Sequence, residues 1–407
     1  MRDTDAGGDH GPVGRNFLSD NTFGASPEIG EAVAAAAAGH AMPYGADPYT
    51  EAARRRLRDV FERDLDVFPV SSGTAANGLA LAALARPWGS VLCHSGSHVH
   101  HDECGAAEFF TGGSKVVTVP GADSKVDPEA LLREIRRRAG DVHSVQPSAL
   151  SISQGTETGG AYTVEEIRRL CLIAKAAGLG VHMDGARFAN ALSHLDVSPA
   201  EMSWKAGVDV LSFGTTKNGT MTADAVISFD PALSAELAAR AKRAGQLAAK
   251  ARFHAAQLAA YLTDGLWLRN AHRANALASR LREGLEGVPG VELPGAEPRM
   301  NLVFCVLAPQ VTQGLLADGY TFYHDRWEPG VVRFVTSFSH SAADVEALLA
   351  AIHRHAAEPP RGRPPAVQRP GVQPPAVQPP AAEPPVEPPR PGVPRPRDRS
   401  RHHCVRE

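Results

Sequence analysis

The chain has 407 residues, 43% hydrophobic and 21% charged, a composition that is ordinary for a globular protein long enough for two domains. Its formal net charge of −3 gives no electrostatic reason to expect nucleic acid or an anionic membrane as a partner. The polar amino terminus lacks the apolar core of a secretory signal, and no apolar run is long enough to span a bilayer. Five scattered cysteines favour a reducing compartment. These features together predict a soluble cytoplasmic protein.

The carboxyl-terminal tail differs in composition from the rest of the chain. Of the 32 prolines, 16 lie in residues 358–407, in near-repeats such as PPAVQRPGVQPPAVQPP. Such a segment cannot bury a core and favours an extended, polyproline-like conformation. We therefore predict a disordered tail over 357–407 and a flexible amino terminus over 1–15. Docking of a partner through P-x-x-P contacts is the alternative role for the tail.

The middle of the chain alternates short apolar runs with helical patterns. The runs occupy residues 149–153, 179–184 and 208–214. Between the first two, the segment 162–178 has apolar residues at helical spacing, a threonine before an acidic first turn and a final glycine. A second amphipathic helix is predicted in 198–207, before the third run. This alternation predicts a mainly parallel sheet with right-handed crossovers.

The last third of the chain has a different pattern. A long helical stretch over 231–287 is followed by two apolar segments, VELPGAEPRMNLVFCVL and GVVRFVTSF, and by a helical segment, SAADVEALLAAIHRHAA. We predict that these form a small α+β domain. The predicted division is into a large domain, 16–264, and a small carboxyl-terminal domain, 265–356.

Candidate functional residues follow the apolar runs, because ligands bind at the carboxyl ends of parallel strands. Four segments qualify: SSGTAAN (71–77), SGSHVHHDECG (95–105), MDGARFAN (183–190) and SFGTTKNG (212–219). Lys217 in the last segment has three interpretations. A P-loop would require a second glycine before the lysine and a hydroxyl residue after it, and both are absent. A solvated loop charge and a lysine that forms a covalent bond remain.

Asp184 favours the covalent interpretation. A carboxylate at the end of one strand, with a lysine 33 residues later at the end of the next, fits a pyridoxal phosphate site. The lysine amine would bond the cofactor's aldehyde, and the acid would keep its pyridine nitrogen protonated. Gly73, where a helix is predicted to begin, would let the backbone approach the phosphate closely. Hydroxyl donors stand at Thr74, Thr215 and Thr216. Simple helix caps are the alternative for Asp184 and for the Ser-Ser-Gly-Thr segment.

With these residues in place, the chain resembles the threonine aldolases, in the low-specificity L-threonine and phenylserine branch of the fold-type I pyridoxal phosphate enzymes. The resemblance covers about residues 16–350 and rests on SDN, YGADP, SSGTAAN, SHVHHDECGAAEFF, HMDGARFANAL, SFGTTKNG, FYHDRW and VVRFVTSF. It implies an α/β fold with a large aspartate aminotransferase-like domain and a small α+β domain. It also implies a dimer or tetramer with active sites shared between subunits.

The activity implied by the resemblance is retro-aldol cleavage of L-threonine, L-allo-threonine and related L-β-hydroxy-α-amino acids, including L-phenylserine, to glycine and an aldehyde. The implied catalytic residues are Lys217 as the Schiff-base lysine, Asp184 as the partner of the pyridine nitrogen, His98 stacked on the cofactor ring, and His143 near the substrate's β-hydroxyl. The base would be His98, or a water ordered by His98 and His143.

The resemblance also implies the residues that bind the cofactor and the substrate. The implied cofactor-binding residues are Gly73, Thr74, His98, Asp184, Arg187, Thr215, Thr216, Lys217 and Arg252. The implied substrate-binding residues are Ser19, Tyr44, Arg187 and Arg333. Of these, Tyr44 and Arg252 would complete the site across a subunit boundary. The sequence departs from many relatives at two positions, with Glu157 in place of a histidine and Ala46 in place of an aspartate.

The histidine-rich segment SHVHHDEC also suggests a metal site. Zinc ligands usually require a second pair from elsewhere in the chain, and no matching pair is evident, so we predict no catalytic metal. Three rival functions remain open. They are another lyase or an aminotransferase of the same fold, a transaldolase that passes the glycine unit to a second aldehyde, and a scaffold whose tail binds partners.

Overall fold

The computed structural model describes residues 13–294 and 300–357, so the predicted tail and most of the predicted flexible amino terminus lie outside it. The described residues form two β-sheets. The first contains β1 (Asp66–Val70), β2 (Gly89–His94), β3 (Lys115–Val119), β4 (Gln146–Ser153), β5 (Gly180–Gly185), β6 (Val210–Phe213) and β7 (Asp224–Ser228). The second contains β8 (Val291–Glu292), β9 (Leu302–Leu307), β10 (Tyr323–His324) and β11 (Val331–Val335).

Helices cover the sheets and connect their strands. In chain order they are α1 (Pro27–Ala37), α2 (Pro48–Phe61), α3 (Gly73–Leu84), α4 (His98–His101), α5 (Ala106–Thr111), α6 (Pro128–Arg136), α7 (Val164–Ala176), α8 (Phe188–Leu195), α9 (Ser234–Arg243), α10 (Arg252–Tyr261), α11 (Leu266–Leu285), α12 (Pro309–Ala317) and α13 (Ala342–Ala357). Short 3-10 turns occur between several of them.

The larger sheet has the strand order β1-β7-β6-β5-β4-β2-β3. Its pairings from β3 through β2, β4 and β5 to β6 are all parallel, whereas β7 runs antiparallel to both of its neighbours. The predicted runs 149–153, 179–184 and 208–214 correspond to β4, β5 and β6, which are adjacent. The prediction of a mainly parallel α/β sheet is therefore confirmed.

The helix predicted over 162–178 is α7. Thr163 caps its amino end in a capping box, in which the Thr163 side chain accepts from the Glu166 amide and the Glu166 carboxylate accepts from the Thr163 amide. Its buried residues repeat at helical spacing and face the sheet: Ile167, Leu170, Cys171 and Ala174. The chain turns away beyond the helix at Gly178, where φ is +73°.

The prediction of an amphipathic helix over 198–207 is wrong. The segment forms turns and one short 3-10 turn, and Ser203 has φ −123° and ψ −105°, outside the helical region. The Ser203 hydroxyl donates to the Pro199 carbonyl at 2.6 Å. Ser198 and Glu201 exchange two bonds between side chain and backbone, at 2.9 and 3.1 Å. The Ser198–Glu201 pair is the capping-box pattern that also begins α7, but the chain does not continue as a helix because the backbone leaves the helical region at Ser203.

The helical stretch predicted over 231–287 is divided into α9, α10 and α11. Left-handed backbone causes the interruptions, with φ +73° at Gly245, +49° at Asp264 and +68° at Gly265. A residue with left-handed backbone angles cannot continue a right-handed helix, so the chain changes direction there and the helix ends.

The second sheet is antiparallel throughout, with the order β10-β11-β9-β8. Its core includes Phe17 from the amino-terminal segment, whose backbone bonds to Thr321 at 2.8 Å and to Val335 at 2.9 Å. Helix α11 contributes apolar residues to this core and to the core of the larger sheet. The domain boundary at residue 264 therefore stays a prediction. None of the helices in the described ranges is long and apolar enough to cross a membrane.

Candidate active site

A cavity lies at the edge of the larger sheet where β2, β5 and β6 end and the antiparallel β7 begins. It has two chambers, of about 250 and 690 Å³. The smaller, which we call the α3 chamber, is lined by Ser72, Gly73, Thr74 and Asp184 among others, and the larger, the Arg333 chamber, by Ser19, Arg187 and Arg333 among others. Asn21, His98 and Lys217 line both. The chambers therefore meet at the lysine.

Lys217 lies in a 3-10 turn directly after β6, and the turn is fixed on both sides. Before the lysine, one carboxylate oxygen of Asp224 accepts from the amides of Thr215 and Thr216, at 2.7 and 3.0 Å, and from the Thr216 hydroxyl at 3.0 Å. After it, the Asn218 amide donates to the Tyr261 hydroxyl at 2.7 Å. The Lys217 amine itself makes no hydrogen bond or ion pair within the described parts of the chain, so it is available to a ligand.

Asp184 ends β5 and is buried at the floor of the α3 chamber. Its Oδ1 accepts from the Ala186 amide and its Oδ2 from Asn77 Nδ2, both at 3.0 Å. Asn77 lies on α3, one turn beyond the glycine that begins the helix. The carboxylate is thus held in place by two neutral donors. No described cationic side chain bonds to this carboxylate. A pyridinium nitrogen would be a third donor and would supply the positive charge that is opposite to that of Asp184.

His98 begins α4 and bonds to a buried carboxylate. Its Nδ1 lies 2.8 Å from Glu103 Oε1, and the same oxygen accepts from Asn77 Nδ2 at 2.7 Å. This bond raises the pKa of His98, against the opposing effect of burial. Burial raises the pKa of Glu103, against the effect of its bond from His98. The other Glu103 oxygen, Oε2, is buried and has no hydrogen-bond partner within residues 13–294 and 300–357.

The amino end of α3 offers an anion site to the α3 chamber. Ser72 caps the helix by accepting from the amide of Ala75 at 3.2 Å with its hydroxyl and from that of Ala76 at 3.1 Å with its carbonyl. The first amides of a helix have no intrahelical partner, so those of Gly73 and Thr74 remain for a ligand. At Gly73 an added Cβ would meet only an oxygen of Asp224, at 4.0 Å, and would otherwise project into open space.

Two arginines line the Arg333 chamber, and their surroundings differ. Arg187 is buried and bonds to the buried Asp20 through Nε at 2.9 Å and Nη2 at 3.1 Å. Burial raises the pKa of Asp20, but Arg187, Lys217 and a bond from Asn301 outweigh it and hold the pKa below its ordinary value. Arg187 is thus largely committed to a residue of its own chain.

Arg333, on β11, has no anionic partner in the described ranges. It lies over the rings of Tyr323 at 4.8 Å and Trp327 at 5.4 Å, and its buried Nε has no hydrogen-bond partner among the described residues. Burial, and then the positive charge of Arg187, lower its pKa, against the charges of Asp20 and Glu157, which raise it. A buried guanidinium that forms no ion pair with a described residue can bind a carboxylate through two parallel bonds.

Some of the other site residues predicted from the sequence line the cavity, and one of them does not. Ser19 and Thr216 line the cavity, and so does Glu157, in the Arg333 chamber. Thr215 does not contribute its side chain, because its hydroxyl is fully buried and bonds to Thr220 at 2.9 Å. The expected hydroxyl donor at that position is therefore wrong, although its amide orders the lysine turn.

His143 lies outside the cavity of its own chain, so its assignment to the site stays a prediction. This residue lies just before β4 begins, so it is at the amino end of a parallel strand, whereas the cavity is at the carboxyl ends. Its side chain is exposed, and it lines neither chamber. Tyr44 and Arg252 also line neither chamber, and Tyr44 is 50% exposed. Their expected role across a subunit boundary stays a prediction.

Four functional residues were missed by sequence reasoning: Asn77, Glu103, Asp224 and Asp20. Glu103 and Asn77 fall inside segments that the sequence singled out, but their contacts join residues 26 and 107 positions apart. Within the described ranges, no group of three or more histidine, cysteine, aspartate and glutamate side chains is placed to hold a metal ion.

The residues present fit pyridoxal phosphate. The α3 chamber is lined by an amine that bonds to no described residue, a buried carboxylate, an imidazole and the amino end of a helix whose first amides are free of intrahelical bonds. These are the partners that the aldehyde, the ring nitrogen, the ring face and the phosphate of the cofactor require. A further unpaired arginine is left over for a substrate carboxylate.

Comparisons with known proteins agree with this chemistry. A model of the beta-eliminating lyases matches residues 16–308. The low specificity L-threonine aldolase of a Pseudomonas species is 41% identical over 338 residues, which are 83% of this chain and 97% of the relative. The chain belongs to the threonine aldolases of the beta-eliminating lyase family. The low specificity L-threonine aldolase of Pseudomonas aeruginosa is 44% identical over 324 residues, 80% of this chain and 93% of that one.

Solved structures support the same family. The threonine aldolase of Leishmania major superposes with a TM-score of 0.79 at 28% identity, over 84% of this chain and 99% of that one. The family resemblance and the fold class predicted from the sequence are therefore confirmed.

Proposed function

We propose that this threonine aldolase family member uses pyridoxal phosphate to cleave the Cα–Cβ bond of L-threonine and related L-β-hydroxy-α-amino acids, giving glycine and an aldehyde. The observation that carries the proposal is the cavity shared by Lys217, Asp184, His98 and the unpaired Arg333. The names of the Pseudomonas relatives support it. We include L-allo-threonine and L-phenylserine among the proposed substrates.

The chain's own residues have separate tasks in this reaction. Lys217 would hold the cofactor's aldehyde carbon, Asp184 its ring nitrogen and the amides of Gly73 and Thr74 its phosphate. When bound, pyridoxal phosphate supplies an electron sink for the bond that breaks. Arg333 binds the substrate carboxylate. Because the carboxylate and the cofactor fix two points of the substrate, the Cα–Cβ bond is held in one orientation, and positioning selects the bond that is cleaved.

His98 removes the proton of the β-hydroxyl group. It lines both chambers, so it reaches the place where a substrate bound by Arg333 meets Lys217. Imidazole is the side chain whose ordinary pKa lies closest to working pH, which suits a general base, and the bond to Glu103 raises the pKa of His98. In the alternative route, a water ordered by His98 and His143 takes this proton, and the role of His143 stays a prediction because this residue does not line the cavity of its own chain.

We also propose that the chain forms a closed homo-oligomer, a dimer or tetramer, in the cytoplasm. The position of Tyr44 supports the oligomer, since this half-exposed residue does not reach the cavity of its own chain. Free cysteines support a reducing compartment: Cys93, Cys171 and Cys305 are buried, and Cys104 is exposed.

The test is a substrate panel given to the purified protein with pyridoxal phosphate. L-Threonine, L-allo-threonine and L-phenylserine should each release glycine and the matching aldehyde in equal amounts, measured by chromatography. Lys217→Ala is the control and should release neither. Formation of a keto acid without aldehyde would instead indicate an aminotransferase. Release of aldehyde only when a second aldehyde is added would indicate a transaldolase.

A further inference from the structure

The buried carboxylate beside His98 has no task in the mechanism described so far. The Glu103 side chain is completely shielded from solvent, and its only hydrogen-bond partners in the described ranges are His98 and Asn77. A buried carboxylate with an unsatisfied oxygen is costly to fold. A contribution to the free energy of folding is therefore a poor explanation for this buried carboxylate. Its hydrogen bond to the His98 imidazole is a better one.

The bonds at Glu103 fix which histidine nitrogen carries a proton. An ionised carboxylate only accepts, and Glu103 Oε1 accepts from Asn77 Nδ2 at 2.7 Å. With Glu103 ionised, His98 Nδ1, 2.8 Å from the same oxygen, is the donor. A neutral imidazole with a proton on Nδ1 has its lone pair on Nε2. Nε2 makes no hydrogen bond to the described residues, so it is the nitrogen left for a substrate.

Asn77 connects this pair to the cofactor side of the site. The same amide nitrogen donates to Glu103 Oε1 at 2.7 Å and to Asp184 Oδ2 at 3.0 Å. The orientation of His98 is therefore fixed relative to the carboxylate that would hold the pyridine nitrogen. The chain from His98 through Glu103 and Asn77 to Asp184 links the base to the ring.

We infer that Glu103 is a positioning residue, which holds His98 with Nδ1 protonated so that Nε2 accepts the proton of the substrate's β-hydroxyl group. This inference rests on the proposed function. In the step, the proton moves from the hydroxyl oxygen to Nε2 and the electron pair of the O–H bond forms the second bond of the aldehyde carbonyl. The Cα–Cβ bond breaks, and its electron pair would pass to the electron sink that bound pyridoxal phosphate supplies. Glu103 keeps its charge and stabilises the imidazolium that results.

The inference is tested by the pH profile of kcat/KM for L-threonine in Glu103→Gln and Glu103→Asp. His98 must be neutral to act as a base, so activity rises as pH passes its pKa. The charged groups that act on this imidazole are Glu103 and Asp184, which raise its pKa, and Lys217, which lowers it. Removing the Glu103 charge should move the rising limb to lower pH and reduce the plateau at least about tenfold.

Glu103→Asp keeps the negative charge. The rising limb of its kcat/KM profile should therefore shift less from the wild-type pH than the rising limb of Glu103→Gln. Glu108→Gln is the matched control, since this acid lies five residues further on and lines neither chamber; its profile should equal the wild type. Absorbance of the bound cofactor and the thermal unfolding temperature report whether each variant is loaded and folded. A reduced plateau with an unmoved limb in Glu103→Gln would overturn the inference.

A second measurement needs no turnover, for the case in which Glu103→Gln does not retain cofactor. Diethyl pyrocarbonate modifies neutral imidazoles, and peptide mass spectrometry resolves the product at His98, whose side chain is 32% exposed. The pH of half-maximal reaction should be lower in Glu103→Gln than in the wild type, with both proteins stripped of cofactor. An equal pH would overturn the inference. Wild-type protein that cleaves no substrate would refute the proposed function instead.

Discussion

Replacing Arg333 with methionine should weaken substrate binding without destabilising the free protein. The guanidinium is buried, stacks on Tyr323 and Trp327, and has no anionic partner among the described residues. A substrate carboxylate would supply two charge-assisted hydrogen bonds, each contributing about 1.5 kcal/mol or more. Loss of about 3 kcal/mol corresponds to a rise in KM of at least about 100-fold.

The free energy of unfolding should change little in the same variant. The methionine variant loses two cation–π contacts of about 0.5–1 kcal/mol each, but it also removes a buried charge that forms no ion pair with a described residue and is offset only by the more distant charges of Asp20 and Glu157. The two effects oppose each other, so we expect a net change within about 1 kcal/mol. Arg187→Met should behave in the opposite way, because it leaves the Asp20 carboxylate buried without its partner and should destabilise the protein by about 3–5 kcal/mol.

Steady-state kinetics with L-threonine and thermal unfolding at one fixed protein concentration measure both effects. Arg280→Met is the control, because Arg280 pairs with Glu346 on the surface, with both side chains about half exposed. It should change neither quantity appreciably. The reasoning is refuted if Arg333→Met retains a KM near that of the wild type. It is refuted equally if that variant is destabilised as much as Arg187→Met.

Four further predictions concern the cofactor bond, the base, a helix cap and the tail. Borohydride reduction and peptide mapping should find the cofactor on Lys217, and Lys217→Ala should lose both the yellow absorbance and the activity; label on another lysine would contradict the assignment. His98→Phe should keep bound cofactor while kcat falls about 10²–10⁴-fold, and an unchanged kcat would exclude His98 as the base. Thr163→Ala removes the cap of α7 and should lower the free energy of unfolding in urea by about 1 kcal/mol; no change would mean that the cap contributes nothing. Deletion of 358–407 should leave kcat and KM unchanged, and a loss of activity would give the tail a role in catalysis.

Local pattern was enough to predict the elements that lead to the site. The helix α7 has a capping box, a periodic apolar face and a terminal glycine, all readable within 17 residues, and β4, β5 and β6 stand out as apolar runs. The helix predicted over 198–207 is wrong because the backbone leaves the helical region at Ser203, despite the capping bonds between Ser198 and Glu201. Apolar periodicity does not reveal where the backbone departs from helical angles.

The sequence by itself determined the chemistry of this protein, because Asp184 and Lys217 follow two strands that are adjacent in a parallel sheet. Adjacent parallel strands end at the same edge, so the acid and the amine had to meet. Only the tertiary structure decided which side chains support them. It placed His143 at the amino end of β4, outside the cavity of its own chain, and it turned the Thr215 side chain into the core. It also joined Asn77 to Glu103 and to Asp184, across 26 and 107 positions. Such contacts depend on side-chain direction and on packing between distant segments, which spacing along the chain does not encode.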